Sequence, residues 1–121
     1  MKILSTLFLS AFFCFTGPVS INAHSQLFPT NLRITVLNNL GNLEPDATVI
    51  VFENEEDYRN EQNPVAGPEL TDRKGRVTFK RLPAKEYFVH VVKEGKTNIG
   101  EGVKVEKLQE GRMNKINVVI R

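Results

Sequence analysis

From Thr71 to Val91 the chain reads TDRKGRVTFKRLPAKEYFVHV, and this stretch narrows the choice of folds more than any other. Asp72-Arg73-Lys74-Gly75 suits a type I turn, with Asp at the first place and Gly at the fourth. Val77 and Phe79 alternate with Arg76, Thr78 and Lys80, the two-residue period of a strand with one face in a core. Leu82-Pro83-Ala84 interrupts that strand, because Pro brings no backbone donor to a ladder. Tyr87-Phe88-Val89-His90-Val91-Val92 starts another, dense in aromatic and β-branched residues that fit a pleated surface. The segment predicts strand, tight turn, strand, corner, strand, with Glu69-Leu70-Thr71 pairing across the turn with Val77 to Lys80.

The flanking sequence follows the same pattern. Leu32 to Leu37 alternates apolar and polar residues and reads as a first strand, and Ala47 to Phe52 as a second. Glu55 to Arg59 reads as a single helical turn with Asn54 as its N-cap. Gly100 to Lys107 is expected to form a strand, and Met113 to Ile120 a last one with Ile116, Val118 and Ile120 on one face. About seven short strands, turn signals every eight to twelve residues and no long helix indicate an all-β fold, an antiparallel seven-stranded Greek-key sandwich.

The N-terminus stands apart from this domain. Met1-Lys2 precedes an apolar run from Ile3 to Phe15, Gly17-Pro18 ends it, and Ala23 supplies a small residue for cleavage. Residues 1–23 are therefore expected to be a secretory signal peptide, 24–31 a flexible lead and 32–121 the sandwich domain. The run is too short for a membrane span, so none is expected after signal removal. The single cysteine, Cys14, falls inside this signal, which leaves the domain without disulfide, Cys-bound metal or thiol nucleophile. The chain carries 16 Lys and Arg against 14 Asp and Glu, a balance that gives no reason to expect nucleic acid as a partner. The distribution is uneven. Glu44, Asp46, Glu53, Glu55, Glu56, Asp57 and Glu61 form an acidic block, and Arg73, Lys74, Arg76, Lys80, Arg81 and Lys85 a basic one.

Ala47-Thr48-Val49, the TDRKGRVTF run of Thr71 to Phe79, Leu82-Pro83 and Tyr87-Phe88-Val89 together resemble the carboxypeptidase regulatory-like or transthyretin-like (prealbumin-like) sandwich. The resemblance covers most of Leu32 to Ile120. It implies that Asp72, Gly75, Phe79, Leu82, Pro83 and Tyr87 are structural, with Phe79 and Tyr87 in or against the core. Two departures stand out: Glu44-Pro45-Asp46 replaces a Pro-Gly turn, and Lys85 replaces the usual corner Gly. The family includes small stand-alone secreted proteins, and the likeness implies a non-catalytic exported module. One transthyretin-related branch hydrolyses an oxidised purine with paired histidines and a Tyr-Arg-Gly-Ser terminus. This chain has only His24 and His90 and ends Val119-Ile120-Arg121, so that activity is not expected. An internal Lys isopeptide bond is disfavoured by Arg33 on the first strand.

No cofactor is implied. A lone His90 cannot build a zinc site, and no Ser–His–acid set is in view. Glu53, Glu55, Glu56 and Asp57 are the one metal-like group, but their spacing fits no EF-type loop. If Val49, Val51, Tyr87, Val89 and Val91 point inward, then Ile50, Phe52, Phe88 and Val92 point outward as an apolar face for association. The alternative is that the segment from Glu53 to Pro68 folds over this face, with Tyr58 and Val65 packing on it. The expectation is an exported module for protein interaction or structural support at a bacterial envelope: periplasmic, outer-envelope or extracellular, its partner an unknown protein or envelope component, with weak self-association. The rival expectation is a module binding carbohydrate or calcium through the acidic loop 53–61.

Overall fold

The structure, a computed structural model, describes residues 28–100 and 103–121. The expected signal peptide and the first residues of the lead lie outside the described residues. Eight strands and one short helix follow in order: β1 Asn31–Asn38, β2 Thr48–Phe52, α1 Glu55–Asn60, β3 Ala66–Leu70, β4 Arg76–Phe79, β5 Tyr87–Lys93, β6 Lys96–Thr97, β7 Lys104–Val105 and β8 Met113–Ile120. They form two sheets, one of order β4-β1-β8, the other β3-β2-β5-β6 with β7 also paired to β5. The fold is an all-β sandwich.

Three expectations need correction. Among the described residues there are eight strands, not seven, because Gly95 lets Lys96–Thr97 turn back on β5, and the described part of the expected strand Gly100 to Lys107 is strand at Lys104–Val105. The sandwich is also not wholly antiparallel. β1 and β8 run parallel over their full length, from Asn31 beside Met113 to Asn38 beside Ile120. Lastly, β3 and β4 do not pair with each other. β3 pairs with β2 and β4 with β1, so the Asp72–Gly75 turn carries the chain from one sheet to the other.

The turn itself is built as its residues dictate. Asp72 Oδ1 accepts from the backbone N–H groups of Lys74 (2.8 Å) and Arg76 (3.0 Å), and the Gly75 N–H donates to Asp72 O (2.9 Å). Gly75 has φ +71°, and a Cβ there would lie 2.9 Å from Val36 O, so only glycine fits without a shift. Thr71 is buried and ties the crossover down: its Oγ1 accepts from the Ala47 N–H (2.9 Å) and donates to Glu44 O (2.7 Å).

Alternation fills the space between the sheets. Leu32, Ile34 and Val36 of β1, Val49 and Val51 of β2, Tyr87, Val89 and Val91 of β5, and Val118 and Ile120 of β8 are buried, with Phe79, Leu82 and Leu108 closing the ends. Each such side chain contributes about 1.5–3 kcal/mol of transfer free energy when fully buried. Tyr87 also donates its hydroxyl to Pro83 O at 2.6 Å, four residues upstream, which pins the Leu82-Pro83 corner. The corner takes its left-handed residue at Arg81 (φ 60°), and Lys85 needs no left-handed backbone there.

Candidate interaction surface

β2 and β5 are the neighbouring central strands of the larger sheet, with Thr48 opposite Val92, Ile50 opposite His90 and Phe52 opposite Phe88. Since Val49, Val51, Val89 and Val91 face the core, these six residues stand on the outer face. The four expected apolar residues therefore share one surface. They differ in exposure: Ile50, Phe88 and Val92 are half-buried, and Phe52 is buried.

α1 accounts for the burial of Phe52. Asn54 caps the helix, its side chain accepting from the Asp57 N–H at 2.8 Å, and Glu55, Glu56 and Asp57 in the first turn complement the positive helix end. None of the helix residues is fully buried, and the helix attaches to the sheet through the ring of Tyr58. That ring stands edge-on to Phe52 (centroids 6.0 Å apart) and His90 (6.0 Å), and tilted to Phe88 (6.2 Å). Burial, with Glu61 adding to it, holds the Tyr58 hydroxyl above its ordinary pKa. The ring thus spans Phe52, Phe88 and His90, and Ile50 and Val92 beside them stay half-buried. Val65, the other expected packing residue, stays exposed. Leu70 is the exposed member of this face: it lies opposite Thr48, which lies opposite Val92, and it is 61% exposed.

The acidic loop does not converge. Glu55 pairs with Arg59 (2.5 Å), Glu53 with Lys85 (2.5 Å), and Asp57 accepts from the Asn54 side chain (3.2 Å). Among the described residues no group of three His, Cys, Asp or Glu side chains is placed to hold a metal ion. The Nδ1 atom of His90 is buried without a hydrogen-bond partner beneath Tyr58.

Two buried polar groups escaped the sequence reading. Glu44 is buried and binds both Lys93 (3.1 Å) and Lys96 (2.9 Å), whose ammonium groups hold its carboxyl below the ordinary carboxylate range, Lys96 most strongly. Asn98 is fully buried and stands in for a missing strand, accepting from the Val91 N–H (3.0 Å) and donating to Val89 O (2.8 Å) between β6 and β7. Neither residue has a neighbour in sequence that signals burial. A cleft of about 700 Å³ opens at the sheet mouth, between residues 103–109 and the first six residues of β8. It is lined by Val89, Val105 and Leu108 on one side and Ile116 and Val118 on the other, with Lys104, Glu106, Lys107, Arg112 and Lys115 at its rim. No helix among the described residues is long and apolar enough to cross a membrane.

No protein-family model matches the sequence, and no curated protein matches it either. Solved structures similar to it include the major pilin subunit of Bacillus cereus, at 14% identity and a TM-score of 0.49. That match covers 78% of this chain and 30% of the pilin subunit, so the chain spans less than a third of that protein's length. A candidate carbohydrate-binding protein from Pseudomonas aeruginosa is similar at 15% identity and a TM-score of 0.41, covering 76% of this chain and 88% of that one.

Proposed function

We propose that this chain is an exported, non-catalytic sandwich module of carboxypeptidase regulatory-like type that works by protein contact at a bacterial envelope, in the periplasm or beyond it. The observation that carries the reading is the outer face of the larger sheet, where half-buried Ile50 and Val92 and exposed Leu70 stand on three adjacent strands beside the Tyr58 ring contacts. Apolar groups grouped on a sheet face mark association sites more often than scattered ones do. The Tyr87–Pro83 corner and the Asp72–Gly75 turn support the family reading, since Tyr87 and Asp72, two of the six residues that the motif marks as structural, bind the backbone. Catalysis finds little support: His90 is half-buried under Tyr58, and its Nδ1 meets neither a Ser nor an acid.

Photo-crosslinking in the native envelope tests the reading. A photoreactive residue at Val92 should give a discrete crosslinked product, and one at Asn39, in the exposed turn after β1, should not. Val92→Asp combined with Leu70→Asp should abolish the product while leaving the melting temperature of the purified domain within a few degrees of the wild type. No product at Val92, or equal products at both positions, would refute protein contact through this face. The calcium reading draws no support from the acidic loop, where Glu53 and Glu55 are held in ion pairs with Lys85 and Arg59 and the Asp57 carboxylate accepts from the Asn54 side chain. Calcium is therefore expected to leave the melting temperature unchanged, whereas a bound ion would raise it.

A further inference from the structure

The smaller sheet has an outer face of a different character. No strand of that sheet contains an Asp or Glu. Because Leu32, Ile34 and Val36 point inward, Arg33 and Thr35 of β1 point outward, and the registers align them with their neighbours. One cross-strand row runs Thr78, Arg33, Lys115, and the next runs Arg76, Thr35, Asn117. Three cations thus alternate with two hydroxyls and an amide on a surface three strands wide. Strands lie about 4.8 Å apart, and same-face residues along a strand about 6.8 Å apart. None of the three cations takes part in an ion pair among the described residues, and Arg33 Nε donates to Thr78 Oγ1 at 3.4 Å, which orients its guanidinium across the sheet. Lys80 and Arg81 follow at the end of β4, both exposed.

We infer that this face binds an acidic polysaccharide. Charge complementarity argues for an anionic occupant, since the two rows carry three cations and no acid, with Asp72 set off in the turn beside Arg76. The interleaved Thr35, Thr78 and Asn117 argue for a polyhydroxyl chain, because each both donates and accepts hydrogen bonds. Single-stranded nucleic acid is a poorer fit, since no aromatic side chain stands on these rows for a base to stack on. Duplex nucleic acid is poorer too, as the face offers neither a helix nor a protruding ribbon for a groove. The inference is independent of the protein-contact reading, which concerns the opposite sheet.

Polygalacturonate is the probe, with uncharged dextran, duplex DNA and phosphatidylglycerol vesicles as comparisons, and the readout is titration followed by NMR of the folded domain. Polygalacturonate should move the amide signals of Arg33, Thr35, Thr78 and Lys115 and leave those of β5 in place. Dextran should move none. Release of three counterions should weaken binding about twenty- to forty-fold between 50 and 200 mM salt. Arg33→Gln with Arg76→Gln and Lys115→Gln should lower affinity at least about ten-fold, the loss of a few charge-assisted contacts. Should that triple variant fail to fold, Asn117→Glu places an acid at an exposed position without removing any contact to the core, and it should weaken binding as well. The inference is overturned if polygalacturonate does not bind, if it binds these variants as tightly as the wild type, or if DNA or vesicles bind more tightly. Salt-sensitive self-association that occupies the same amides would also overturn it, by showing that a second copy covers the face.

Discussion

Two residues carry more of this fold than their chemistry suggests. Gly75 sits where the chain changes sheets, with a left-handed backbone and Val36 O 2.9 Å from the place of a Cβ. Gly75→Ala is expected to cost about 1–3 kcal/mol in urea unfolding, from backbone strain and displacement of β1 together. Glu44 is buried and serves as an anchor for Lys93 and Lys96 across the β5–β6 hairpin. Its folded carboxyl lies below the ordinary value of 4.5, so the stability it contributes is full above that value and drains away as the pH falls through the folded pKa. Glu44→Gln should remove about 1–3 kcal/mol at neutral pH, the range for hydrogen bonds to charged groups. It should also flatten the decline in stability below pH 4.5, measured by thermal unfolding across a pH series. A Gln variant as stable as the wild type at pH 7 would mean that the ion pairs merely offset their desolvation.

At the scale of elements, α1 is the piece that depends most on its surroundings. Six residues cannot sustain a helix in water alone, so the cap at Asn54 and the ring of Tyr58 hold it in place. Asn54→Ala should cost about 0.5–2 kcal/mol. Tyr58→Ala should cost about 1–3 kcal/mol, and it should also raise binding of an apolar dye, because Phe52 and Phe88 lose their cover. The strands themselves were legible in the sequence, since alternation is a local property: β1, β2, β5 and β8 fall within a residue or so of their expected bounds. The N-cap of α1 was legible for the same reason. Pairing was not. A tight turn such as Asp72–Gly75 reads as a hairpin, yet whether its arms share a sheet depends on whether β1 or β3 is the better partner for β4, and nothing between residues 66 and 79 encodes that choice. The outward set Ile50, Phe52, Phe88 and Val92 followed from the two-residue period, whereas the cover over Phe52 depended on where a loop of irregular sequence came to rest. Glu44 and Asn98 were missed because their burial is created by segments remote in sequence, Lys93 and Lys96 for one and the gap between β6 and β7 for the other.

For the molecule as a whole, the longest ladder joins the first strand to the last. Folding must bring segments some eighty residues apart into register before that ladder repays the loop it closes, which places the folding time in the range of about milliseconds to seconds. Removing residues 113–121 should leave a chain without cooperative unfolding, since β1 loses its parallel partner and the core loses Val118 and Ile120. Dispersed amide signals from that truncated chain would show that the remaining strands suffice. The parallel sense of this pair has a mechanical meaning. Asn31 and Ile120 lie at opposite ends of one ladder, so tension applied at the start of β1 and the end of β8 slides the two strands lengthwise. The ladder's hydrogen bonds then bear the load together, rather than opening one after another as in a zipper. A module strung between two attachments would resist stretching best along the line joining its own ends, and an optical trap pulling along that line should find it far stiffer than one peeling β8 away sideways.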